Sequence, residues 1–240
     1  AKGATSVQID KFPDVESKPD PRQLKELQGF SGEFNWLSTR TRPDISYYVS
    51  LLASACTKHG KWSRDLAYKI LRFLVGSRDQ GILISVEGDL TELVAWTDAG
   101  FAGAETKSQS GLIVSWGGSI VTWRSSRQTV SALSTAEAEL QAAILGWQIV
   151  EGLRLLIKDF GYILPKIKVM IDNQEALTIL RCGANWRTRY FAVRGHRLHE
   201  EHLIGQAELC HCPTKAMIAD SLTKLAAPGV IKVLQDTMAT

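Results

Sequence analysis

Long apolar runs are missing from this chain. No stretch of about 18 consecutive apolar residues occurs, so the sequence predicts no membrane-spanning helix. The first ten residues, AKGATSVQID, lack the apolar centre of a secretory signal. Cysteine is scarce: Cys56, Cys182, Cys210 and Cys212 are the 4 in 240 residues, and they form no disulfide framework. A reducing, intracellular setting is therefore expected. Cys210 and Cys212 flank His211 in an alternating stretch with no second cluster at zinc spacing, which reads as structural thiols. His196, His199 and His202 recur beside Glu200 and Glu201 as exposed helix histidines. There is no internal repeat and no low-complexity tract. Acids are absent from RCGANWRTRYFAVRGHR (181–197), where five arginines alternate with Trp186, Tyr190 and Phe191. Arginine interleaved with aromatics suits a phosphate backbone and stacked bases.

What is present is an ordinary globular balance, with 45% hydrophobic and 22% charged residues and a net charge of +3. Residues 1–20, punctuated by Pro13 and Pro19, read as a linker or extended arm. Residues 21–88 form a small helical segment, with helices near Arg22–Leu37, Ile45–Ala55 and Ser63–Val75 and a strand at 82–86. Residues 89–226 read as an α/β domain and 227–240 as a C-terminal tail. Within the domain, ELVAWTD (92–98), SGLIVSWGG (110–118) and SIVTWRS (119–125) predict three strands, the last two joined by the Gly117–Gly118 hairpin signal. A long helix follows near Thr135–Asp159, then a strand at 166–172, helices at 173–182 and 189–204, a strand at 207–213 and a closing helix at 216–226. That order implies a mixed five-stranded sheet, an antiparallel meander followed by crossover strands, with helices on both faces.

The acids are the informative residues. With about 100° per residue along the long helix, Glu137 shares a polar arc with Gln141, Gln148 and Glu151. Glu139 falls instead among Ala142, Ala143, Val150 and Leu153. Glu137 thus belongs to water, and Glu139 points at the sheet, where a carboxylate needs a cation or metal partner. Asp98 ends the first strand, Asp172 ends the fourth, and Asp220 lies on the closing helix. One sheet edge could gather all four. Without nearby lysines such a group repels itself unless hard divalent cations neutralise it. Two ions about 3.5–4 Å apart would activate water and stabilise the leaving oxygen of a phosphodiester.

The motifs TDAGFAG, KSQSGLIVSWGGSIVTWRSSRQ, LSTAEAEL, DNQEA, RTR (187–189) and ADSLTK resemble, in sequence and order, those of a ribonuclease H domain. The chain from about residue 22 onward resembles the C-terminal end of a copia-type LTR-retrotransposon polyprotein. TRPDISYYVSLLA and LAYKILRFLVGSRDQGILI correspond to the helical region between polymerase and nuclease.

This resemblance implies a ribonuclease H-like fold and a metal-dependent endonuclease that hydrolyses the RNA strand of RNA–DNA hybrids, leaving 5′-phosphate and 3′-hydroxyl ends. It implies two Mg²⁺ ions, with Mn²⁺ as a substitute, on a catalytic set falling at Asp98, Glu139, Asp172 and Asp220, with Asp98 bridging both. Arg124, Arg127, Gln128, Asn173, Arg187 and Arg189 would contact the hybrid, and His211 is a candidate for product release. The partners implied are the hybrid and the reverse transcriptase part of the same polyprotein, in cytoplasm, virus-like particle or nucleus, with no membrane. Two departures stand out: Gly100 replaces a second aspartate of the first strand, and Tyr190 replaces a histidine. The rivals are a catalytically inactive hybrid-binding module and a nuclease of the same superfamily acting on DNA.

Overall fold

The computed structural model describes residues 7, 9, 17–85, 88–102, 107–163, 165–183, 189–224, 234 and 238. The chain divides into two compact units, residues 1–82 with 225–239, and residues 83–224 with 240.

The first unit is helical, built from α1 (Pro21–Arg40), α2 (Ser46–Ala55) and α3 (Gly60–Gly76). Asp20 starts α1 with a capping box: its carboxylate accepts from Gln23 N at 2.8 Å, and the Gln23 side chain accepts from Asp20 N at 3.3 Å. Phe34, Ile45, Tyr48, Leu52, Leu66, Ile70 and Phe73 share its core. The segment TRPD has a structural job in this unit. Arg42 and Asp44, both buried, form a two-pronged pair at 2.9 and 2.8 Å. The guanidinium also donates to Ser77 O and Ser77 Oγ and lies over the Phe73 ring. These bonds satisfy a buried charge that would otherwise be costly.

The sequence-expected strand at 82–86 does not form over its described part. Leu83 and Ile84 are exposed, and Ser85 is tied instead through a side chain. Ser85 N donates to Ser119 Oγ at 2.8 Å, and Ser119 Oγ donates to Ser85 O at 3.1 Å. The apolar run has no alternating face to bury; Val86 lies outside the described residues.

The second unit carries β1 (Glu92–Gly100), β2 (Gln109–Trp116), β3 (Ser119–Arg127), β4 (Lys166–Ile171) and β5 (Ala207–His211), with α4 (Thr135–Asp159), α5 (Gln174–Cys182) and α6 (Arg189–Leu203). The sheet order is β3-β2-β1-β4-β5. The first three strands form an antiparallel meander, whereas β4 and β5 run parallel to β1. Gly117 and Gly118 turn the hairpin at φ 58° and 80°, conformations that favour glycine. Helix α4 is long and apolar enough, by length and composition, to cross a membrane. Here it serves as the core helix, with Leu140, Ala143, Val150 and Ile157 packed on the sheet residues Leu93, Ala95, Val169 and Ile171.

The expected closing helix is tighter than anticipated. Thr214–Ala216 and Ile218–Leu222 are 3₁₀ turns, and residues 225–226 lie outside the described residues. A hydroxyl competes there for a carbonyl an α-helix would use: Ser221 Oγ donates to Ile218 O. Glycines let these elements meet. A Cβ at Gly146 would lie 2.4 Å from Thr97 Cγ2, and one at Gly111 would lie 2.6 Å from Thr223 Cγ2.

Replacing Gly146 by valine should therefore lift α4 from β1 and cost about 1–3 kcal/mol in urea unfolding. Gly152→Ala, with open space around it, should be neutral or stabilising. Equal effects at both positions would show that the close approach is not what glycine is there for.

Candidate active site

Strand β1 delivers Asp98 to its C-terminal end, opposite Gly111 on β2 and one residue past the Thr97–Ile171 pairing with β4. Asp172 follows directly after β4, and Asp220 lies in the 3₁₀ turn. Asp98, Asp172 and Asp220 each offer an oxygen within 4.8 Å of the others. Asp98 is fully buried, and the other two are half-buried.

Helix α4 brings the fourth acid. Ser134 caps it by accepting from Glu137 N at 3.1 Å, and Glu137 Oε2 accepts from Leu133 N at 2.6 Å. Glu137 is thus half-buried and spends its carboxylate on the helix start rather than on water alone. Two residues on, Glu139 is only 4% exposed. Its carboxyl lies beside the Ala99 backbone and feels the charges of Asp98 and Asp172. The helical phase separated these glutamates correctly.

Burial is the main force on the group. Desolvation, partly offset by the Thr223 hydroxyl and Lys224, pushes the Asp98 carboxyl up to about 7. Desolvation and then the neighbouring Asp98 push Glu139 up to about 9. Asp172 is raised in the same direction, again chiefly by burial. Among the described residues, Asp98 Oδ1 and Glu139 Oε2 are buried without a hydrogen-bond partner. Orphaned carboxyl oxygens beside two more carboxylates fit hard divalent cations, whose charge would favour their ionised form.

Two neighbours were missed in the sequence. Thr223 Oγ1 donates to Asp98 Oδ2. The Lys224 ammonium sits 2.7 Å from Asp220 Oδ1 and 3.9 Å from Asp98 Oδ2, so the premise of a group without a nearby lysine fails. The signal available was the four-residue spacing from Asp220 to Lys224. Thr223 also accounts for Gly100: a Cβ there would lie 2.5 Å from Thr223 O, leaving no room for a second aspartate.

The other sequence-named residues are distributed more widely. Arg124 and Arg127 are exposed on β3 and line a groove of about 510 Å³ with Ser126, Gln141 and Gln148. Gln128 is buried, its amide nitrogen bonded to Ser110 Oγ at 3.0 Å and Ala138 O at 2.8 Å, so it ties β2 to α4. Asn173 caps α5 by accepting from Ala176 N at 2.9 Å. His211 ends β5, exposed, where its charge would favour ionised Asp172. Arg187 and the side chain of Arg189 lie outside the described residues. The histidines of α6 make no metal cluster among the described residues. His199 Nδ1 is 2.7 Å from Leu180 O, His202 Nδ1 is 3.0 Å from Ala207 O, and His196 pairs with Glu200.

An antiparallel three-stranded meander continued by two parallel strands, with carboxylates gathered where β1 and β4 end, defines a ribonuclease H-type fold. The chain is similar over 93% of its length, at 25% identity, to the Ty1-JR2 Gag-Pol polyprotein of Saccharomyces cerevisiae. It is similar over 88%, also at 25% identity, to the Ty1-GR3 Gag-Pol polyprotein of that yeast. The resemblance to a retrotransposon polyprotein region therefore stands. The chain spans only 13% and 12% of the length of these relatives. No family model matches. Among solved structures, the chain is similar to ribonuclease H1 from Halobacterium salinarum NRC-1 (21% identity, TM-score 0.41, 55% of this chain and 94% of that one). It is also similar to a compost-derived ribonuclease H1 in complex with an RNA/DNA hybrid (16% identity, TM-score 0.43, 59% and 99%). The fold assignment rests on strand order and connectivity.

The raised carboxyls give a pH dependence with a definite sign. A folded-state pKa above the unfolded value means that the fold binds the proton more tightly, so stability falls as pH rises. Without divalent cations, the unfolding free energy should decline between about pH 5 and pH 9, the window set by Asp98 and Glu139. Glu139→Gln should flatten that slope in urea titrations at a series of pH values. An unchanged slope would mean that Glu139 is ionised throughout.

Proposed function

We propose that this chain is a metal-dependent endonuclease that hydrolyses the RNA strand of RNA–DNA hybrids. The observation that carries this reading is the convergence of Asp98, Asp172 and Asp220 on one another, with Glu139 buried beside them. Such an arrangement is costly to fold and has no structural use in the core. The similarity to transposon Ty1 Gag-Pol polyproteins supports the reading, as does the resemblance of the motifs to a retrotransposon ribonuclease H.

Asp98, Glu139, Asp172 and Asp220 would hold Mg²⁺, with Mn²⁺ as a substitute. Divalent cations bound there supply the neutralising charge and the water activation that in-line phosphodiester hydrolysis needs. The chain's own residues do the rest. Thr223 donates to Asp98 Oδ2, opposite the orphaned Oδ1, and so fixes the orientation of that carboxyl. The cap made by Ser134 and Glu137 holds the first turn of α4, and with it Glu139, against β1. Arg124 and Arg127, free of acidic partners in their groove, would attract the hybrid backbone, joined by Arg187 and Arg189. A protein selects such a substrate by groove shape and the 2′-hydroxyl, so sequence preference should be slight. The four free cysteines suit an intracellular setting, and joining to a reverse transcriptase would deliver the hybrid.

The test is cleavage of end-labelled RNA–DNA hybrid with Mg²⁺, against matched RNA and DNA duplexes. Cleavage of the hybrid's RNA strand alone is expected. Binding without cleavage would indicate an inactive holding module, and cleavage of duplex DNA would indicate another nuclease of the superfamily.

Within the same assay, Glu139→Gln should reduce the rate by about 100-fold or more. Glu137→Gln, whose amide oxygen can still accept from Leu133 N, keeps the cap and should leave the rate near wild type, at a small cost in helix-start stability. Equal losses in the two variants would refute the assignment of roles.

A further inference from the structure

The proposed nuclease reading leaves one charge unexplained. Lys224 places its ammonium 2.7 Å from Asp220 Oδ1 and 3.9 Å from Asp98 Oδ2. Asp98 and Asp220 are two of the three carboxylates whose oxygens converge. A lysine serving only to dress the surface has no reason to reach toward a fully buried aspartate.

We propose that Lys224 is the resident counter-ion of the carboxylate group, a positioning residue that a divalent cation must displace from the Asp98–Asp220 edge. The inference rests on the reading of this group as a cation site, and it goes further by assigning the control of loading to a residue of the chain itself.

Three observations support it. The first is place: an ammonium between these two acids contributes the local positive charge that a cation would contribute on binding. The second is mobility. The Lys224 side chain is 50% exposed, so it can swing into water on a flexible stem at little desolvation cost, unlike a buried arginine. The third is the neighbouring residue. Thr223 donates to Asp98 Oδ2 and packs into the space that Gly100 and Gly111 leave open, which anchors the backbone just before Lys224. The lysine therefore swings from a fixed base. Asp98 Oδ1 and Glu139 Oε2 are left unpartnered while Lys224 holds the other side. Lys224 thus balances only part of the group's charge, enough to hold the acids together and too little to complete them.

Two consequences follow for cation binding. Lys224 weakens affinity for the cation, because loading requires its departure and its charge opposes the incoming ion. It also stabilises the unloaded protein. Once displaced, the ammonium stays within a side chain's length of the site, where an anionic substrate could re-engage it.

Isothermal titration calorimetry of the full chain with MgCl₂ tests this, alongside thermal unfolding in EDTA. Lys224→Met keeps the stem and removes the charge, while Lys224→Arg keeps the charge. Lys224→Met should bind Mg²⁺ about two- to fivefold more tightly, the range to which a half-exposed ion pair converts. Its Tm in EDTA should fall by about 2–4 °C and recover at saturating Mg²⁺. Lys224→Arg should stay close to wild type on both measures. Equal affinity in Lys224→Met and wild type, or weaker affinity in the variant, would overturn the role of Lys224 while leaving the cation site standing. No Mg²⁺ binding by either protein would instead remove the cation site and the proposal with it.

Discussion

Everything in the second unit is arranged around the cost of keeping like charges together out of water. Asp98 is fully buried and Glu139 nearly so, and two more aspartates approach them. Desolvation, reinforced by the neighbouring carboxylates, lifts both carboxyls far above their ordinary range. A fold does not accept that cost for the sake of its core, where an apolar pair of similar size would do as well. The surrounding architecture is best understood as the means of holding this arrangement. Parallel pairing of β1 with β4 places Asp98 and Asp172 at one edge, Gly146 lets α4 come close enough to present Glu139, and the segment carrying Asp220 packs its Ala219, Leu222 and Thr223 against Gly100 and Gly111.

Tightness in that turn follows from local chemistry. The Ser221 hydroxyl takes up a carbonyl that would have continued an α-helix, and the compact segment lies close enough to β2 that a Cβ at Gly111 would meet Thr223 and Ala219. Gly100 belongs to the same packing. A missing second acid in the first strand is therefore a steric consequence of Thr223 rather than a lost ligand. Lys224, at the end of that segment, brings the local counter-charge.

Much of this was legible in the sequence, and the reasons are physical. Strand alternation, the Gly117–Gly118 turn and the long apolar phase of α4 each carry their own periodicity, so the five strands and the inward Glu139 could be read directly. The acids stood out because strand ends and a helix start place them by rule. What could not be read depended on contacts across the chain. The run at 82–86 is apolar enough for a strand, but whether it pairs depends on Ser119, more than thirty residues away. ADSLTK looks helical until the Ser221 hydroxyl finds the Ile218 carbonyl and the Thr223 hydroxyl finds the Asp98 carboxyl. Gln128 lines the groove with Arg124 and Arg127, and its amide nitrogen also ties Ser110 to Ala138, a role the sequence did not show. Glu137 looked free and proved to be a cap. The arginines between 181 and 197 carry a basic-aromatic pattern whose placement lies largely outside the described residues.

We infer that the buried carboxylates are partly protonated when alone and become ionised when a divalent cation joins them. The most direct measurement is the side-chain carboxyl ¹³C shift of Glu139 by NMR at neutral pH, before and after addition of Mg²⁺. A protonated carboxyl without cation that converts to carboxylate at saturating Mg²⁺ is the expected result. A Glu139 that is already ionised without cation, or one that stays protonated when Mg²⁺ is saturating, would refute it.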